Sequence, residues 1–273
     1  MSKAVWIGAA VVALAAGAAA AGYVAGQQQP AEMAAQAPAP AAPVAASAPI
    51  DRAEIELIVR NYLVENPELL IDMQQGLEAK QAEQQRLANL DVIENARNDI
   101  FNADYDGVVG NPDGKTTIVE FYDYNCGYCK RAQQDMLALV EADSDLRFVL
   151  KEFPILGPDS TKAHIVSMAF RKLMPEKYAD FHNQLLGGSG RATEEAAISI
   201  ATALGADETA LREEMKNPAI GTAFEKTYEL ANKLSITGTP SYVVGSEVVF
   251  GALGQDVLAQ KIAEARAAET AAN

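Results

Sequence analysis

Cysteine and histidine are scarce in this chain: of its 273 residues, two are cysteine and two are histidine. A structural zinc site takes four soft ligands, and the two histidines lack the spacing of a zinc finger, so zinc binding is disfavoured. Positive charge is also scarce, because 22 Lys and Arg residues stand against 37 Asp and Glu residues, for a formal net charge of −15. A chain this acidic lacks the basic footprint of a nucleic-acid-binding protein. Internal repeats and a methionine cluster for copper are likewise missing from the sequence.

The two cysteines, Cys126 and Cys129, lie where a buried strand predicted over 116–122 passes into a helix. Their spacing places both thiols on one helix face, about one turn apart. The first thiol lies near the helix N-terminus, where unpaired N–H groups and the helix dipole favour negative charge. Such a C-x-x-C placement lowers a thiol pKa from about 8.5 to about 3.5–7.5 and so favours the reactive thiolate. The spacing therefore predicts a dithiol that cycles between reduced and oxidised states.

A purely structural disulfide is the less favoured alternative. It would close a very short loop, and closing a short loop removes the least entropy from the unfolded chain.

The first 49 residues have the composition of a targeting segment and a spacer. Residues 4–26 carry no charge and follow Lys3, which is compatible with a cleaved signal peptide or an uncleaved membrane anchor. The apolar length favours the anchor, because a signal core usually has about 7–15 residues and a bilayer span needs about 20. Either reading exports the rest of the chain to a compartment where disulfides persist. Residues 27–49 hold five prolines among many alanines, which predicts a semi-rigid linker.

Residues 50–103 are predicted to be a helical arm. Apolar residues recur at helical spacing from Ile55 to Leu63, after Asp51 as an N-cap, and Asn66-Pro67 is expected to start a second helix. That helix is polar between residues 80 and 86. One interpretation is an ordinary helical subdomain that packs on the rest of the same chain. The polar middle favours an oligomerisation arm instead, because so polar a stretch has little reason to lie in a core.

The remainder, residues 104–273, predicts an α/β domain. The strand at 116–122 and the cysteine-bearing helix precede a second strand at 146–153, which gives a β-α-β unit. A run of helices follows, and then a β-hairpin at about 241–250 and a closing helix at about 255–267.

This order of elements resembles the thioredoxin fold of the DsbA family over about residues 110–266. The motif Phe121-Tyr-Asp-Tyr-Asn-Cys-Gly-Tyr-Cys129 and the stretch Lys151-Glu-Phe-Pro-Ile-Leu156 resemble the Com1/ScsC branch. The segment Tyr62-Leu-Val-Glu-Asn-Pro67 resembles the trimerisation region of the ScsC N-terminal domain. The resemblance implies a thioredoxin-like fold with a helical insertion at about 158–217. It also implies thiol–disulfide exchange in the periplasm, and isomerase activity and copper(I) binding are known for some members.

The resemblance assigns roles at the C-x-x-C motif. Cys126 corresponds to the exposed nucleophile, which forms a mixed disulfide with a substrate, and Cys129 corresponds to the buried resolving partner. Gly127 and Tyr128 form the dipeptide that tunes the redox potential. Because Tyr128 brings no positive charge, we expect the helix end to stabilise the thiolate. We also expect the protein to be a milder oxidant than a relative with histidine at that position.

Four further residues are candidates for the site. Pro240 corresponds to the family's cis-proline, which faces the cysteines and presents the backbone of Thr239 to a substrate peptide. Glu120 is a carboxylate inside an otherwise apolar strand, which is uncommon unless the group is paired. Lys151 in the neighbouring strand is its expected partner, and by resemblance the two assist proton transfer at the buried cysteine. A plain structural ion pair is the alternative. His164 and His182 are expected to be helix residues without a catalytic part.

The leading hypothesis is a periplasmic thiol–disulfide oxidoreductase, more narrowly a disulfide isomerase. Its expected partners are exported proteins with cysteines, a membrane redox partner and further copies of itself, as a trimer by resemblance. We expect no nucleic acid, no cofactor beyond the Cys126–Cys129 disulfide, and a membrane tether if the N-terminal segment is not cleaved. The alternatives are a copper(I)-binding protein that uses both reduced cysteines and a monomeric disulfide oxidase.

Overall fold

The computed structural model describes residues 51–272. Its centre is a five-stranded sheet in the order β1-β3-β2-β4-β5. The strands are β1 (Gly107–Gly110), β2 (Thr116–Tyr122), β3 (Leu146–Glu152), β4 (Ser241–Val244) and β5 (Glu247–Phe250). Strands β2 and β3 run parallel, and the other neighbouring strands pair antiparallel.

Helices precede, cross over and cover this sheet. They are α1 (Arg52–Glu65), α2 (Leu69–Asn95), α3 (Arg97–Phe101), α4 (Gly127–Ala142), α5 (Pro158–Leu173), α6 (Tyr178–Gly187), α7 (Glu194–Ala203), α8 (Glu208–Glu214), α9 (Pro218–Lys233) and α10 (Gln255–Ala272). A 3-10 turn at Pro175–Lys177 leads into α6. The chain thus inserts α5 to α8 between β3 and α9, which confirms the predicted α/β class with a helical insertion.

Strand β2 lies at the middle of the sheet and is buried on both faces. Its alternate side chains point to opposite sides, as the pleat of a strand requires. Ile118 and Tyr122 belong to a core shared with α4, α10 and the inserted helices. Val119 and Phe121 belong to a second core, shared with α3 and the end of α9. The strand therefore holds its own C-terminal end, where the cysteines follow, rigidly in place.

One edge of the sheet collects the segments that carry the candidate site residues. Because β2 and β3 are parallel, the segments that follow them, 123–126 and 153–157, leave the sheet at the same edge. Strand β4 is antiparallel to β2, so the segment 238–240 enters the sheet there as well. The topology thus brings the C-x-x-C motif and the Thr-Pro motif together.

The environment of α2 changes along its length. Its first turns are exposed, whereas Ile93 lies in the second core with Ile100 and Phe101 of α3. The Gln85 amide also donates a hydrogen bond of 3.1 Å to the Ser235 hydroxyl. The last turns of the predicted arm therefore pack on the sheet, and the predicted boundary at residue 103 does not coincide with a break in packing.

The start of α1 agrees with the sequence, and the start of α2 does not. The Asp51 carboxylate accepts a hydrogen bond of 3.3 Å from the N–H of Ala53, as an N-cap does. Asn66, the expected cap of α2, instead donates its side-chain amide to the Tyr62 carbonyl at 2.7 Å. Asn66 therefore closes α1, and α2 begins three residues later, at Leu69.

Contacts divide the chain into one unit that ends at Asn61 and another that begins at Tyr62. Over residues 51–272, no helix has both the length and the apolar character that crossing a bilayer requires. The signal peptide or anchor predicted at 4–26 and the linker predicted at 27–49 lie outside the described residues.

Candidate active site

Cys126 is the N-cap of α4, as the motif spacing predicts. Its backbone is extended, with φ −79° and ψ 115°, and its sulfur accepts a hydrogen bond of 3.4 Å from the N–H of Cys129. In its protonated form the Cys126 thiol also donates to the Thr239 carbonyl, with the sulfur and oxygen 3.2 Å apart. The first unpaired N–H groups of α4 therefore face the Cys126 sulfur, where they stabilise negative charge.

Both cysteines are free thiols, and they differ in access to solvent. Cys126 is 5% exposed and Cys129 is completely buried. We expected an openly exposed Cys126, and it is more enclosed than that because the segment around Thr239 lies against its sulfur.

The two thiols have opposite pKa shifts. Hydrogen bonding by the Cys129 thiol lowers the pKa of Cys126 to about 5 against the opposing effect of burial. The Thr239 side chain and the backbone N–H groups of Cys129 and Tyr128 lower this pKa further. Burial raises the pKa of Cys129 far above its ordinary value, and the neighbouring Cys126 and Glu120 raise it further. At neutral pH, Cys126 is a thiolate and Cys129 a thiol. We expected the helix end to stabilise the thiolate, and its two N–H groups do so, although each lowers the Cys126 pKa by less than the Cys129 thiol does.

The Thr239–Pro240 peptide bond is cis, as the resemblance implied for Pro240. The Ser241 hydroxyl donates to the Gly238 carbonyl at 2.8 Å, and the N–H of Gly251 donates to the Pro240 carbonyl at 2.9 Å. Hydrogen bonds thus hold both ends of the segment 238–240, and they keep Thr239 beside the Cys126 sulfur.

Gly127 and Tyr128 occupy the first turn of α4, at the mouth of the site. Tyr128 is 60% exposed, and the Arg131 guanidinium carbon lies 4.3 Å from the centre of its ring. A side chain at Gly127 would meet open space. The dipeptide therefore leaves the approach to Cys126 unobstructed.

Glu120 is a buried carboxyl group beneath the cysteines. It is 3% exposed, and its Oε1 atom has no hydrogen-bond partner among residues 51–272. Burial raises the pKa of Glu120 to about 8, and the nearby Cys126 adds to the rise, whereas the Tyr242 hydroxyl opposes it. Glu120 is therefore mostly protonated at neutral pH, and it can gain or lose its proton at pH values near neutrality.

The predicted pairing of Glu120 with Lys151 is wrong. In the parallel pairing of β2 with β3, Glu120 stands opposite Leu150 and Lys151 stands opposite Phe121. Neighbouring residues of a strand point to opposite faces, so the two side chains lie on opposite sides of the sheet. Lys151 instead forms a buried ion pair with Asp106, at 2.5 Å, and donates to the Asp99 carbonyl.

Asp123 is a site residue that the sequence analysis missed. It is fully buried, and its carboxylate accepts hydrogen bonds from the N–H groups of Ile155 and Leu156 and from the hydroxyl of Ser160. It also accepts from the N–H of Asn125 at 2.8 Å. This carboxylate joins the segment before Cys126 to the segment after β3. An acidic residue directly after an apolar strand was the available signal.

Exposed apolar side chains surround the site. They belong to the cysteine-bearing helix, to the segment after β3 and to the end of β5 with the segment that follows it. These residues, which we call the apolar rim, are Tyr128, Ile155, Leu156, Phe250 and Leu253. Such a surface is suited to contact with an apolar peptide segment.

Among residues 51–272, no group of three or more His, Cys, Asp and Glu side chains is arranged to hold a metal ion. A copper(I) site of two thiolates needs only Cys126 and Cys129, so it stays a prediction.

The Lys151–Asp106 pair leads to a prediction about stability. Replacing Lys151 with methionine leaves the Asp106 carboxylate buried without its cation, which should lower the free energy of unfolding by about 3–5 kcal/mol. The rate of thiol–disulfide exchange per folded molecule should not change, because Lys151 lies on the sheet face away from the cysteines. Chemical denaturation and a dithiol exchange assay measure the two quantities.

Lys233→Met is the matched control, since Lys233 is exposed and its loss should alter stability by no more than about 0.5 kcal/mol. Slower exchange by Lys151→Met at unchanged stability would contradict the structural assignment and restore a catalytic part for Lys151.

Comparison with known proteins agrees with this geometry. Residues 117–263 match the family described as DSBA-like thioredoxin domain, and residues 51–84 match the family described as Copper resistance protein ScsC N-terminal domain. Disulfide bond formation protein D of Bacillus subtilis is 27% identical over 153 residues, which cover 52% of this chain and 68% of that protein.

Two solved structures are similar over most of their own length. A thioredoxin-like oxidoreductase from Silicibacter pomeroyi is 40% identical, with a TM-score of 0.59, and the match covers 62% of this chain and 97% of that one. BcfH of Salmonella enterica Typhimurium is 27% identical, with a TM-score of 0.67, and the match covers 78% of this chain and 95% of that one. The chain therefore belongs to the DsbA-like thioredoxin-domain family, as a thiol–disulfide oxidoreductase with an ScsC-type N-terminal segment.

Proposed function

We propose that this oxidoreductase is a disulfide isomerase that repairs wrongly paired disulfides in exported proteins. The contrast between its two thiols carries the proposal. Cys126 has a lowered pKa and sits at a helix N-terminus, whereas Cys129 is buried with a raised pKa. Stabilising the thiolate favours the reduced protein over its disulfide, and an isomerase must be reduced to attack a substrate.

The first step is attack by the Cys126 thiolate on a substrate disulfide. A bond forms between the Cys126 sulfur and one substrate sulfur while the substrate S–S bond breaks, and the other substrate sulfur leaves as a thiolate. That thiolate then attacks a second disulfide in the same substrate. The final attack, on the mixed disulfide, returns Cys126 as a thiolate. No net oxidation occurs, and no cofactor beyond the cysteine pair takes part.

Cys129 provides an exit when the substrate does not rearrange. Its thiol loses a proton and attacks the Cys126 sulfur, so that the Cys126–Cys129 disulfide forms and the substrate is released with both of its sulfurs reduced. The ionised fraction of Glu120 is the proposed proton acceptor, because the charge of Glu120 acts on Cys129. A membrane redox partner would then reduce the disulfide for the next cycle.

The surroundings of Cys126 are suited to an unfolded substrate. The apolar rim would contact apolar residues that a misfolded protein exposes, and Tyr128 of this rim adjoins the nucleophile. The Thr239 backbone before the cis-proline would bind the substrate main chain beside its cysteine. Main-chain and apolar contacts tolerate many sequences, as an isomerase with varied substrates requires.

The N-terminal helices are proposed to assemble copies of the chain, most simply into a trimer. Large apolar side chains of α1 and of the first half of α2 are exposed, and α1 has no buried residue. In α2 they include Leu70, Ile71, Met73 and Leu77, which we call the α2 apolar surface. Contact between copies would bury these side chains. Several active sites would then hold one substrate by multivalent contact.

We place this activity in the periplasm, where the substrates would be exported proteins. A dithiol that must be recycled fits an oxidising compartment with a dedicated reducing partner. A membrane tether at residues 4–26 remains part of the proposal.

The cysteine roles predict different outcomes for the two alanine variants. Cys126→Ala should abolish exchange, because no thiolate remains at the mouth of the site. Cys129→Ala should accumulate mixed disulfides through Cys126, because the resolving thiol is gone. Non-reducing gels with peptide mapping, after incubation with a scrambled multi-disulfide protein, detect the adducts. Adducts through Cys129 in the Cys126→Ala variant would reverse the assignment.

The relay role of Glu120 predicts a rate effect and a stability effect for Glu120→Gln. Resolution by Cys129 should slow on the order of 10- to 100-fold, as expected on losing a general base. The folded protein holds the Glu120 proton up to a pKa of about 8, whereas the unfolded chain releases it near the ordinary value of 4.5. Between these values Glu120 holds a proton in the folded state that the unfolded chain has released, so its contribution to the free energy of unfolding falls as pH rises. Glu120→Gln should lack this contribution, which is the difference between the wild-type and variant pH profiles.

Stopped-flow exchange and denaturation across this pH window measure the two effects. Glu141→Gln, at an exposed position of α4, is the matched control and should match the wild type in both. A Glu120→Gln variant with normal resolution but altered stability would show that the carboxyl group is structural.

The proposed assembly predicts that charge on the α2 apolar surface separates the copies. The double substitution Leu70→Glu and Leu77→Glu should give a folded monomer, because both positions are exposed. The monomer should keep thiol attack but lose isomerase activity by about tenfold or more, since multivalent retention of the substrate is gone. Light scattering measures the oligomeric state, and refolding of a scrambled substrate measures the isomerase activity.

Ala79→Glu adds a charge at an exposed position of α2, about 180° around the helix from Leu70 and about 80° from Ile71, and should leave the oligomeric state and the isomerase activity unchanged. A wild-type monomer, or a monomeric variant that isomerises as fast as the wild type, would refute the proposed assembly.

A further inference from the structure

The segment before Cys126 has three N–H groups, and each has a buried acceptor. The Cys126 N–H donates to the Asp123 carbonyl at 2.9 Å, which closes a turn. The Asn125 N–H donates to the Asp123 carboxylate at 2.8 Å. The Tyr124 N–H donates at 3.2 Å to the Nε2 atom of His164, a residue of α5. The first two acceptors belong to the turn itself, and His164 is the acceptor that joins the remaining N–H group, that of Tyr124, to α5. The side chains of Asp123 and Asn125 also hydrogen-bond to Ser160 of α5.

The geometry defines the tautomer of His164. A nitrogen that accepts an N–H donor carries no proton, so Nε2 is unprotonated and the ring N–H lies at Nδ1. That Nδ1–H faces the Glu152 carboxylate, which is hydrogen-bonded to it. The Ser167 hydroxyl donates to the other Glu152 oxygen at 2.7 Å. Glu152 therefore selects the tautomer and orients the ring so that Nε2 points to Tyr124.

We propose that His164, oriented by Glu152, is a positioning residue for the nucleophile Cys126 and acts through the Tyr124 N–H. This inference rests on the proposed role of Cys126. The imidazole touches no substrate and none of the reacting sulfurs. It holds the turn that delivers the Cys126 sulfur to the N–H group of Cys129 and to Thr239.

Thiolate stabilisation depends on that placement. A hydrogen bond weakens steeply with distance and angle, and the bond from the Cys129 N–H to the Cys126 sulfur is already 3.4 Å long. A turn that moves outward would lengthen this bond and raise the Cys126 pKa. The other role open to His164 is packing, since its ring lies 4.6 Å from the Tyr124 ring and 5.1 Å from the Tyr122 ring. The two roles differ in what happens at Cys126.

Two substitutions of His164 separate the roles. In His164→Asn the amide reaches the Nδ1 position, so it keeps the bond to Glu152 and loses the acceptor for Tyr124. In His164→Gln the amide oxygen reaches the Nε2 position, so it keeps that acceptor. The matched control is His182→Asn, because His182 is equally buried on α6 and contacts the Tyr124 hydroxyl rather than its N–H. Burial lowers the pKa of His182 to about 3, so the His182 ring is neutral at the pH of the titration.

The readout is the Cys126 thiolate absorbance of the full-length reduced protein, titrated without substrate. His164→Asn should raise the Cys126 pKa by about one pH unit, which is a tenfold loss of thiolate at a pH below both values. His164→Gln should return the pKa close to the wild-type value, and His182→Asn should leave it unchanged. Equal pKa shifts in His164→Asn and His182→Asn, or none in either, would overturn the proposal. If the thiolate absorbance still titrates with the same pKa in Cys126→Ala, Cys126 is not the low-pKa thiol. That result would overturn the proposed nucleophile and, with it, this inference.

A measurement on the wild-type protein covers the case in which a variant does not fold. Nitrogen NMR should show His164 Nε2 unprotonated and coupled to the Tyr124 N–H. Nε2 found protonated, or no coupling at a resolved Tyr124 signal, would overturn the proposal without any substitution.

Discussion

The hydrogen bonds at the start of α4 are the interaction on which the rest of the site depends. They hold the Cys126 sulfur at the N-terminus of α4 and the Cys129 sulfur about one turn further along the helix. Two chemically identical thiols therefore have opposite pKa shifts. The pair itself supplies the largest stabilising contribution, because the Cys129 thiol donates toward Cys126 only while it keeps its proton. Burial of Cys129 is therefore part of how Cys126 becomes reactive. Strand β2, buried on both faces, supplies the rigidity that this arrangement needs.

Glu120 shows what the site requires of the fold. A carboxyl group in the centre of a sheet is unfavourable when one of its oxygens has no partner within the described residues. Lys151 does not offset this cost, because it faces the other side. The fold tolerates the group by keeping it protonated at neutral pH. Asp123, equally buried and a few residues away, has several hydrogen-bond donors. A buried carboxyl group thus serves proton exchange at Glu120 and anchors the chain at Asp123. The number of hydrogen-bond donors around each group determines its role.

The sequence predicted what is encoded locally. The strand before the cysteines, their place at a helix start, the helical insertion and the Thr-Pro motif before a strand all follow from short-range patterns, and the structure has each of them. The pairing of Glu120 with Lys151 depended on the register between two strands, and a shift of one residue exchanges the faces. The contacts of Asp123 and His164 join residues some 30 to 40 positions apart. The periodicity of apolar residues in a sequence carries no information about such distant contacts, so they could not be predicted before the fold was known.

The helix α2 connects the two parts of the proposed mechanism. Its first half exposes apolar side chains, and its last turns enter the core at Ile93, beneath the same sheet that carries the cysteines. A continuous helix of 27 residues is about 40 Å long and bends little. Any assembly formed through its exposed half would therefore orient each catalytic sheet directly instead of through a flexible joint. An isomerase gains from that arrangement, because the distance between active sites around one substrate would be set by the helix.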